Sequence, residues 1–440
     1  MENEMEQVQR HFSAGRTDQA IECLKNTSLF QGKTVEDIRR LVETRSFDDL
    51  ASWCAKNAER TIKFAAHKRS ATLPNTILEV EGDSIVSRTL QFHDEDPAVF
   101  QIPNATIAAG QGMISTQDGK VLGAASDWGQ PWKKGDRAKL AYSVLATRDE
   151  NDEFLAKRLD KSTNIPEAIY LWVGCKHFSI NLLNVAHVAL LREAVADTSV
   201  PLIAPRKGLP PRQFELDAIR KIGFMNNEII AVDGKPTTFV DKLWVPYSPI
   251  SLFPKRVVSS SSTMTIVRNR LGVAKRRTSA SGDRIYVTRK DAKWRLVENE
   301  DTIIAMLRDE FGFRVVEFTG LELDQRLEEL SSAEIILGPT GQNLMNMMFA
   351  PPDCWIAELL PVTHADQAVR DGIAHFALSM GHKSIRIPCD TVQSEESWIR
   401  RNIRVRHHEL RTALQFMVRQ TREAELPGPR RKMDRQHLTP

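Results

Sequence analysis

The chain has few cysteines, and no two of them lie close together in the sequence. The five are odd in number and scattered, at Cys23, Cys54, Cys175, Cys354 and Cys389. The lack of a Cys-x-x-Cys pair argues against a zinc ribbon, and the scatter argues against a disulfide-rich secreted domain. We therefore expect reduced, mostly structural thiols and a cytoplasmic location.

Long apolar runs are also missing. No stretch of the sequence approaches the ~18 apolar residues that a membrane-spanning helix needs. The chain starts with Met-Glu-Asn-Glu-Met-Glu, which is acidic and polar and does not predict a signal peptide. If the protein meets a membrane, we expect a peripheral contact at the inner membrane face.

A strong net charge is absent as well. The formal net charge is only +3 over 440 residues, and aromatic residues are not interleaved with a basic patch. No nucleic-acid partner is predicted on these grounds. The basic run at residues 275–277 is interpreted as a solvated loop, with a contact to an acceptor or to an anionic membrane as the alternative.

What the chain does have is the composition of a soluble globular protein, with 41% hydrophobic and 27% charged residues. Its length allows two or three domains. The predicted segments are a helical arm (1–72), a β-rich first part of the N-terminal domain (73–165), an N-terminal α/β domain (166–258), a linker (259–282), a C-terminal α/β domain (283–392), a C-terminal helix (393–426) and a disordered tail (427–440). The arm carries no catalytic constellation, so we interpret it as a cap or an oligomerisation arm.

Residues 283–358 hold the most informative pattern. Short apolar runs alternate with amphipathic helical stretches, as in βαβ units on a parallel sheet. Arg289 follows the first predicted strand, and the turn from Gly338 to Gly341 follows the third. Ligands bind beyond the carboxyl ends of such strands. The pattern therefore predicts a phosphate site where Arg289 and this turn converge.

Two arginines, Arg289 and Arg295, are candidates for holding a diphosphate. Paired guanidiniums form forked, charge-assisted hydrogen bonds to phosphate and stabilise negative charge on a leaving diphosphate. An equally acceptable alternative is a surface salt-bridge network of these arginines with Asp291, Glu298 and Glu300. The sequence alone leaves both interpretations open.

The glycine-containing turn at residues 338–343 lets backbone N–H groups approach an anion at a helix N-terminus. It matches neither a GxGxxG turn nor a Walker loop, so alone it is a weak signal. His177 follows a glycine-terminated strand of the N-terminal domain, where a general base would stand. A capping or packing histidine is the alternative.

These motifs, taken in order, resemble glycosyltransferase family 61, of the capsular polysaccharide biosynthesis type. The resemblance is carried by a strand ending in Arg289, then Arg295 and the pair Asn299-Glu300. It continues with Phe311-Gly312-Phe313, with the stretch 333–349 that contains Asn346, with Glu358, and upstream with His177-Phe178. It runs from about residue 97 to about residue 388, and the arm at 1–72 lies outside it.

The resemblance implies an α/β, GT-B-like pair of Rossmann-like domains, here with an N-terminal helical arm. It implies inverting transfer from a nucleotide-sugar, UDP-linked for preference, to a glycan acceptor, with no bound metal and no cofactor. It assigns His177 as the catalytic base. The implied donor-binding residues are Arg289, Arg295, Asn299, Glu300, Gly338, Thr340, Gly341, Asn346 and Glu358. Among these, Glu358 is the candidate for hydrogen bonds to the ribose hydroxyls.

The sequence departs from the family pattern in the donor half and in the acceptor half. The family often has His-Gly-Ala where this chain has Thr340-Gly341-Gln342, and an acidic residue where it has Asn181. A Pro-Arg pair later in the same helix is also absent. These departures leave a rival hypothesis, a non-catalytic protein of the same fold that acts through its helical arm as a scaffold or regulator. A nicotinamide-dependent enzyme is disfavoured because no GxGxxG turn precedes an acidic residue at the expected distance.

Overall fold

The computed structural model describes residues 7, 11, 16–26, 34–36, 47–64, 76–90, 96–108, 113–116, 121–123, 163–171, 178–197, 199–204, 213–225, 227, 229–231, 237–247, 261–273, 283–362, 367–392 and 401–425. All structural statements below refer to these residues. His177, the predicted base, and the tail 427–440 lie outside them.

The described chain alternates strands and helices through most of its length. The strands are β1 (Phe47–Asp49), β2 (Arg60–Lys63), β3 (Thr76–Glu81), β4 (Ser84–Thr89), β5 (Ala98–Ala108), β6 (Met113–Ser115), β7 (Val121–Gly123), β8 (Thr163–Tyr170), β9 (Leu202–Ala204), β10 (Ile229–Ala231), β11 (Thr237–Tyr247), β12 (Asp283–Val287), β13 (Phe313–Val316), β14 (Ala333–Pro339), β15 (Trp355–Pro361), β16 (Lys383–Thr391) and β17 (Ile403–Val405). The α-helices are α1 (Thr17–Lys25), α2 (Leu50–Asn57), α3 (Phe178–Ala194), α4 (Gln213–Ile222), α5 (Ser261–Leu271), α6 (Glu300–Phe311), α7 (Leu323–Leu330), α8 (Gln367–Ser379) and α9 (His407–Glu425), and a 3₁₀ helix spans Gln342–Phe349.

The chain divides into two compact units. Unit 1 consists of residues 1–72, 91–273 and 322–324, and unit 2 of residues 73–90, 274–321 and 325–440. Each unit is built on a sheet of its own, against which helices pack. The observed class is therefore mixed α/β, as predicted, while the GT-B arrangement remains a prediction.

Unit 1 contains a mixed sheet of nine described strands in the order β1-β7-β6-β5-β11-β8-β9-β10, with β2 paired to β5. The long strands β5 and β11 run antiparallel, and β11, β8, β9 and β10 run parallel. Leu50 and Trp53 of α2 pack into the core of this sheet. Residues 47–63, predicted as part of a helical arm, thus contribute two strands and a helix to unit 1.

Helix α5 also differs from the sequence-based expectation, which placed a linker at residues 259–282. Its serines suggested a flexible connection. However, Met264, Val267 and Leu271 recur at helical spacing, and all three are buried in the structure. The exposed side of the helix carries Arg270, which pairs with Glu193 of α3 at 2.7 Å. Helical periodicity outweighs the weak local propensity of serine here.

Unit 2 contains a mainly parallel sheet of eight described strands in the order β13-β12-β14-β15-β16-β3-β4, with β17 antiparallel to β16. Strands β14 and β15 are buried at every position. Such continuous burial is expected where helices cover both faces of a parallel sheet. Helix α6 ends at Gly312, whose left-handed φ of 68° lets its N–H bond the Arg308 carbonyl.

The hairpin β3–β4 lies in the sheet of unit 2, although it precedes most of unit 1 in the sequence. Strand β3 pairs in parallel with β16, with Glu79 opposite Arg386. The sequence-based prediction puts residues 73–165 in the N-terminal domain as one segment, whereas the structure places residues 76–89 of it in the sheet of unit 2. Alternating strands indicate that a sheet forms, but not which distant strand they will join.

The last elements of unit 2 along the chain are β17 and α9. The predicted C-terminal helix at 393–426 is thus shorter in the structure and begins at His407, after a strand. Leu410, Leu414 and Met417 of α9 pack into the core beneath the sheet. None of the helices in the described ranges combines the length and the apolar character needed to span a bilayer.

Candidate anion-binding site in unit 2

The predicted convergence of Arg289 and the glycine turn is confirmed by the sheet of unit 2. Strands β12 and β14 pair in parallel, with Tyr286 opposite Leu337, so their carboxyl ends lie at one edge. Arg289 follows β12 and Gly341 follows β14 at this edge. Their contact is so close that a Cβ atom on Gly341 would overlap Nη1 of Arg289.

Arg295 reaches the same turn from the other end of the loop that follows β12. Its Nη1 donates a 3.1 Å hydrogen bond to the carbonyl oxygen of Thr340. It also lies 3.4 Å from where a Cβ of Gly341 would be. The backbone of Arg295 has a φ of 60°, which is uncommon for a residue other than glycine and occurs where the surroundings impose it. Two guanidiniums therefore flank Gly341.

The charges of this arginine pair are poorly compensated within the described residues. Arg289 is buried, and no described carboxylate lies within 4.0 Å of either guanidinium. The Nε atoms of Arg289 and Arg295 are both buried and have no hydrogen-bond partner among the described residues. Burial lowers the pKa of Arg289, and burial followed by repulsion from Arg289 lowers the pKa of Arg295 to about 10. Two desolvated like charges are costly unless an anion joins them.

The alternative salt-bridge network does not form in the described structure. Glu298 pairs with Arg404, and Asp291 accepts a hydrogen bond from Thr319. Glu300 is buried and accepts hydrogen bonds from the Tyr286 and Thr288 hydroxyls, both at 2.8 Å. Glu298 and Glu300 are therefore engaged elsewhere, and Asp291 acts on Arg289 only by an electrostatic attraction that is weaker than the effect of burial on the Arg289 pKa. The remaining interpretation is a site for an external anion.

The turn itself adds backbone groups to the arginines. Gly341 precedes the 3₁₀ helix, and its φ of 148° is a conformation that glycine adopts without strain. The first N–H groups of a helix lack intrahelical partners and favour an anion. Gly338 has a different role, because a Cβ there would lie 3.1 Å from the Val287 carbonyl and 3.2 Å from Leu344. Its contacts indicate tight packing rather than ligand binding.

Glu358 lies behind the turn, on β15 opposite Gly338. It is only 1% exposed, and no group in the described ranges donates a hydrogen bond to its Oε2. Burial raises the pKa of Glu358 above its ordinary value, while Arg386 and a hydrogen bond from Thr340 act in the opposite direction. Its charge in turn raises the pKa of Arg295. Glu358 is thus electrostatically coupled to the arginine pair.

Two further candidate donor residues have well-defined partners within the protein. The Asn299 side chain bonds both the N–H and the carbonyl of Val405, at 3.0 and 2.9 Å, and so fixes β17. Asn346 accepts a 2.9 Å hydrogen bond from Arg326 and donates one to the Asn343 carbonyl. These contacts, like those of Glu300, support structural roles around the site. Donor binding by the three side chains remains a prediction.

A network of buried charges next to Glu358 was not predicted from the sequence. Arg386 is 2% exposed and contacts Glu79 and Asp371, each at 2.9 Å, and Glu358 at 3.6 Å. Arg88 binds Asp371 through two hydrogen bonds of 2.6 and 3.2 Å. One signal for the network was present, because Arg386 stands between two isoleucines, Ile385 and Ile387, within a strand.

The residue types that ligate metal ions do not converge on this site. Within the part of the chain that the structure describes, no group of three or more His, Cys, Asp or Glu side chains could hold an ion. The positive charge that the described site offers to an anion comes from Arg289 and Arg295. Guanidiniums can neutralise a diphosphate by forked hydrogen bonds.

The family model for Glycosyltransferase 61 matches residues 141–357 of the chain, just under half of its length. The match includes β12 to β14, both arginines and the turn at Thr340 and Gly341, and it ends just before Glu358. It supports the assignment to this family and glycosyltransferase activity. No curated protein matches the chain.

Proposed function

We propose that this protein is an inverting glycosyltransferase of family 61 that transfers a sugar from a nucleotide-sugar to a hydroxyl group of a glycan acceptor. The observation that carries the proposal is the pair Arg289 and Arg295, packed against Gly341 without a carboxylate ion pair among the described residues. The family match supports the reaction class. The donor diphosphate would supply the missing negative charge.

The chemistry of such a transfer explains why two arginines are useful. As the bond between the anomeric carbon and the diphosphate breaks, negative charge accumulates on the leaving phosphate oxygens. Guanidiniums already fixed at the site stabilise this charge without reorganisation. A divalent metal is then not needed for charge compensation. Glu358 would accept hydrogen bonds from the ribose hydroxyls. His177 would deprotonate the acceptor hydroxyl for in-line attack on the anomeric carbon.

The cellular setting is part of the same proposal. A GT-B pair of domains would place donor and acceptor on opposite walls of a cleft. A UDP-linked sugar and a cell-surface or capsular polysaccharide fit the resemblance of the motifs. The protein would work in the cytoplasm, with a peripheral contact to the inner membrane face where its acceptor is membrane-linked. The N-terminal segment would form the subunit contacts of a homo-oligomer.

A donor screen tests this proposal directly. Purified protein is incubated with a panel of UDP- and CMP-sugars, and release of the nucleotide and transfer of the sugar are followed by mass spectrometry. For the active donor, Arg289→Ala should lower the rate by about 100-fold, the typical cost of removing a transition-state charge contact. Arg308→Ala is the control, since Arg308 is exposed and pairs only with the adjacent Asp309. An unchanged rate for Arg289→Ala would refute the diphosphate assignment.

A second candidate is a protein of this fold that binds a nucleotide-sugar but does not turn it over, acting as a scaffold or regulator. Thr340 favours it, because the family often has histidine here and the Thr340 hydroxyl bonds Glu358 in the protein interior. Titration calorimetry with UDP, combined with the donor screen, separates the two. Binding without transfer or hydrolysis of any donor supports the second candidate.

A further inference from the structure

Arg386 is the most deeply buried cation described in unit 2, and it lies in the middle of a strand. Its neighbours Ile385 and Ile387 belong to the apolar core. Arg386 itself extends among carboxylates from three elements, Glu79 of β3, Glu358 of β15 and Asp371 of α8. A buried ion cluster of this kind is often no more stable than an apolar core of the same shape. Its presence therefore calls for an explanation other than stability.

The hairpin β3–β4 supplies two members of the cluster from a distant part of the sequence. Glu79 contacts Arg386, and Arg88 holds both oxygens of Asp371 and approaches Glu79 at 3.4 Å. Arg88 and Asp371 are separated by 283 residues along the chain. The hairpin thus contributes a cation to Asp371 and a carboxylate to Arg386.

The cluster connects to the anion site through Glu358. On one side the carboxylate of Glu358 faces Arg386, with 3.6 Å between Oε2 and Nε. On the other side it accepts a hydrogen bond from the Thr340 hydroxyl, and its charge raises the pKa of Arg295. Thr340 also offers its carbonyl oxygen to Arg295. A continuous series of contacts thus joins the hairpin to the arginine pair.

We propose that Arg386 is a positioning residue that, together with Asp371, Arg88 and Glu79, holds the Glu358 carboxylate beside Thr340 and Arg295. The hairpin β3–β4 then contributes, through Glu79 and Arg88, to positioning a residue of the site in unit 2. The identity of the anion rests on the proposed function, but the positioning of Glu358 does not. The two statements are tested by different measurements.

The charge of Glu358 is the property to measure, because each neighbour shifts it in a known direction. Arg386 and Thr340 favour the carboxylate, whereas Asp371 and burial disfavour it. The other charged or titratable groups of the cluster are Arg88, Glu79 and His375 on the hairpin and α8, and Arg295 in front. Arg386→Met should therefore raise the pKa of Glu358, and Asp371→Asn should lower it. If the cluster only fills space, the pKa of Glu358 should fall in both variants, because looser packing lets water reach the carboxylate.

The experiment is an infrared titration of protein labelled with ¹³C-glutamate, in which the Glu358 band is assigned by its loss in Glu358→Gln. Opposite shifts in Arg386→Met and Asp371→Asn support the proposal, and shifts in the same direction overturn it. Arg386→Lys controls for charge. Arg88→Met is the variant least at risk of misfolding, because its side chain is 35% exposed. We expect it to shift the titration in the same direction as Arg386→Met, by a smaller amount.

Titration calorimetry with UDP separates this inference from the proposed function. Arg88→Met should weaken UDP binding about tenfold at neutral pH, a typical coupling through a contact network. Wild-type protein that does not bind UDP, but shows the opposite infrared shifts, refutes the nucleotide assignment and supports the positioning of Glu358. The opposite outcome is that wild type and Arg88→Met bind UDP with equal affinity and that neither Arg386→Met nor Asp371→Asn shifts the Glu358 titration. This outcome overturns the inference and leaves the proposed function standing.

Discussion

The guanidinium of Arg289 lies against the Cα of Gly341, with no room for a side chain between them. A Cβ on Gly341 would overlap Nη1 of Arg289 and would come within 3.4 Å of Nη1 of Arg295. The φ of 148° at Gly341 also suits glycine alone. The turn and the arginine pair are thus fitted to each other, and the fit allows a direct test of the site.

Gly341→Ala should displace Arg289 and weaken UDP binding by at least about tenfold, since a forked phosphate contact depends on the position of the guanidinium. Backbone strain should lower the free energy of unfolding by about 1–3 kcal/mol. Gly320→Ala is the matched control, because Gly320 has a φ of 80° but no atom lies within 4 Å of the position that a Cβ would take. Calorimetry and urea unfolding measure both quantities. Equal UDP affinity in the two variants would contradict the assigned geometry.

Arg295→Met should separate binding from stability. Among the described residues, Arg295 makes one hydrogen bond, to the Thr340 carbonyl. Its charge is repelled by Arg289 and attracted, more weakly, by Glu358. Removing its charge should leave the free energy of unfolding unchanged or raise it by about 1 kcal/mol, because a desolvated like charge is lost. UDP affinity should fall by at least ~30-fold, the loss expected for about 2 kcal/mol or more.

Arg326→Met is the control for Arg295→Met. Arg326 is buried, and it donates hydrogen bonds to the carbonyls of Phe318 and Leu321 and to Asn346. Its loss should destabilise the fold by roughly 2–4 kcal/mol, since three hydrogen bonds from a charged donor are lost. If urea unfolding shows similar destabilisation for both variants, Arg295 is a structural arginine and the anion site is misassigned.

Local periodicity was enough to predict the arrangement of β12, β14 and the site between them. The apolar runs at Ile285 and Ile336 are short, buried and separated by helices, and parallel pairing then brings their carboxyl ends together. Arg289 and Gly341 follow these ends directly. Their convergence on one edge of the sheet could thus be predicted from the sequence, because it depends only on parallel pairing, whereas the direct neighbourhood of β12 and β14 was not predicted.

The hairpin and the buried ion cluster could not be predicted in this way. Nothing local in residues 76–89 distinguishes pairing with β16 from pairing with β5, since alternating strands suit either sheet. The partners of Arg386 come from three separate elements, and only tertiary structure brings them together. The position of Arg386 between two isoleucines indicated that its charge has a partner, but not which one.

Asn299 provides a test of a residue that the family resemblance assigned to donor binding. Its side chain bonds both backbone groups of Val405 and holds β17 against the start of α6. Asn299→Ala should lower the free energy of unfolding by about 1–3 kcal/mol because two backbone groups lose their partner. UDP affinity should stay within about twofold, as expected where no ligand contact is lost. A large loss of affinity with normal stability would instead support the donor-binding assignment.

His375 should make the stability of unit 2 sensitive to mild acid. It is buried on α8, with Nδ1 2.9 Å from the Asp371 carbonyl oxygen, and burial lowers its pKa from 6.5 to about 4. The unfolded chain therefore binds a proton more readily than the folded protein between these values. The stability contribution is complete above about pH 6.5 and is lost as the pH falls toward about 4, by up to roughly 3 kcal/mol.

His375→Gln should flatten this dependence, because glutamine stays neutral while retaining an amide donor for the Asp371 carbonyl. The measurement is urea unfolding between about pH 4.5 and 7.5, where Asp371 itself does not contribute, since Arg88 and Arg386 lower its pKa below the range. His408→Gln removes an exposed imidazole of α9 and serves as the control. We expect it to keep the wild-type slope. If His375→Gln loses stability toward acid as steeply as wild type does, a different group carries the pH sensitivity.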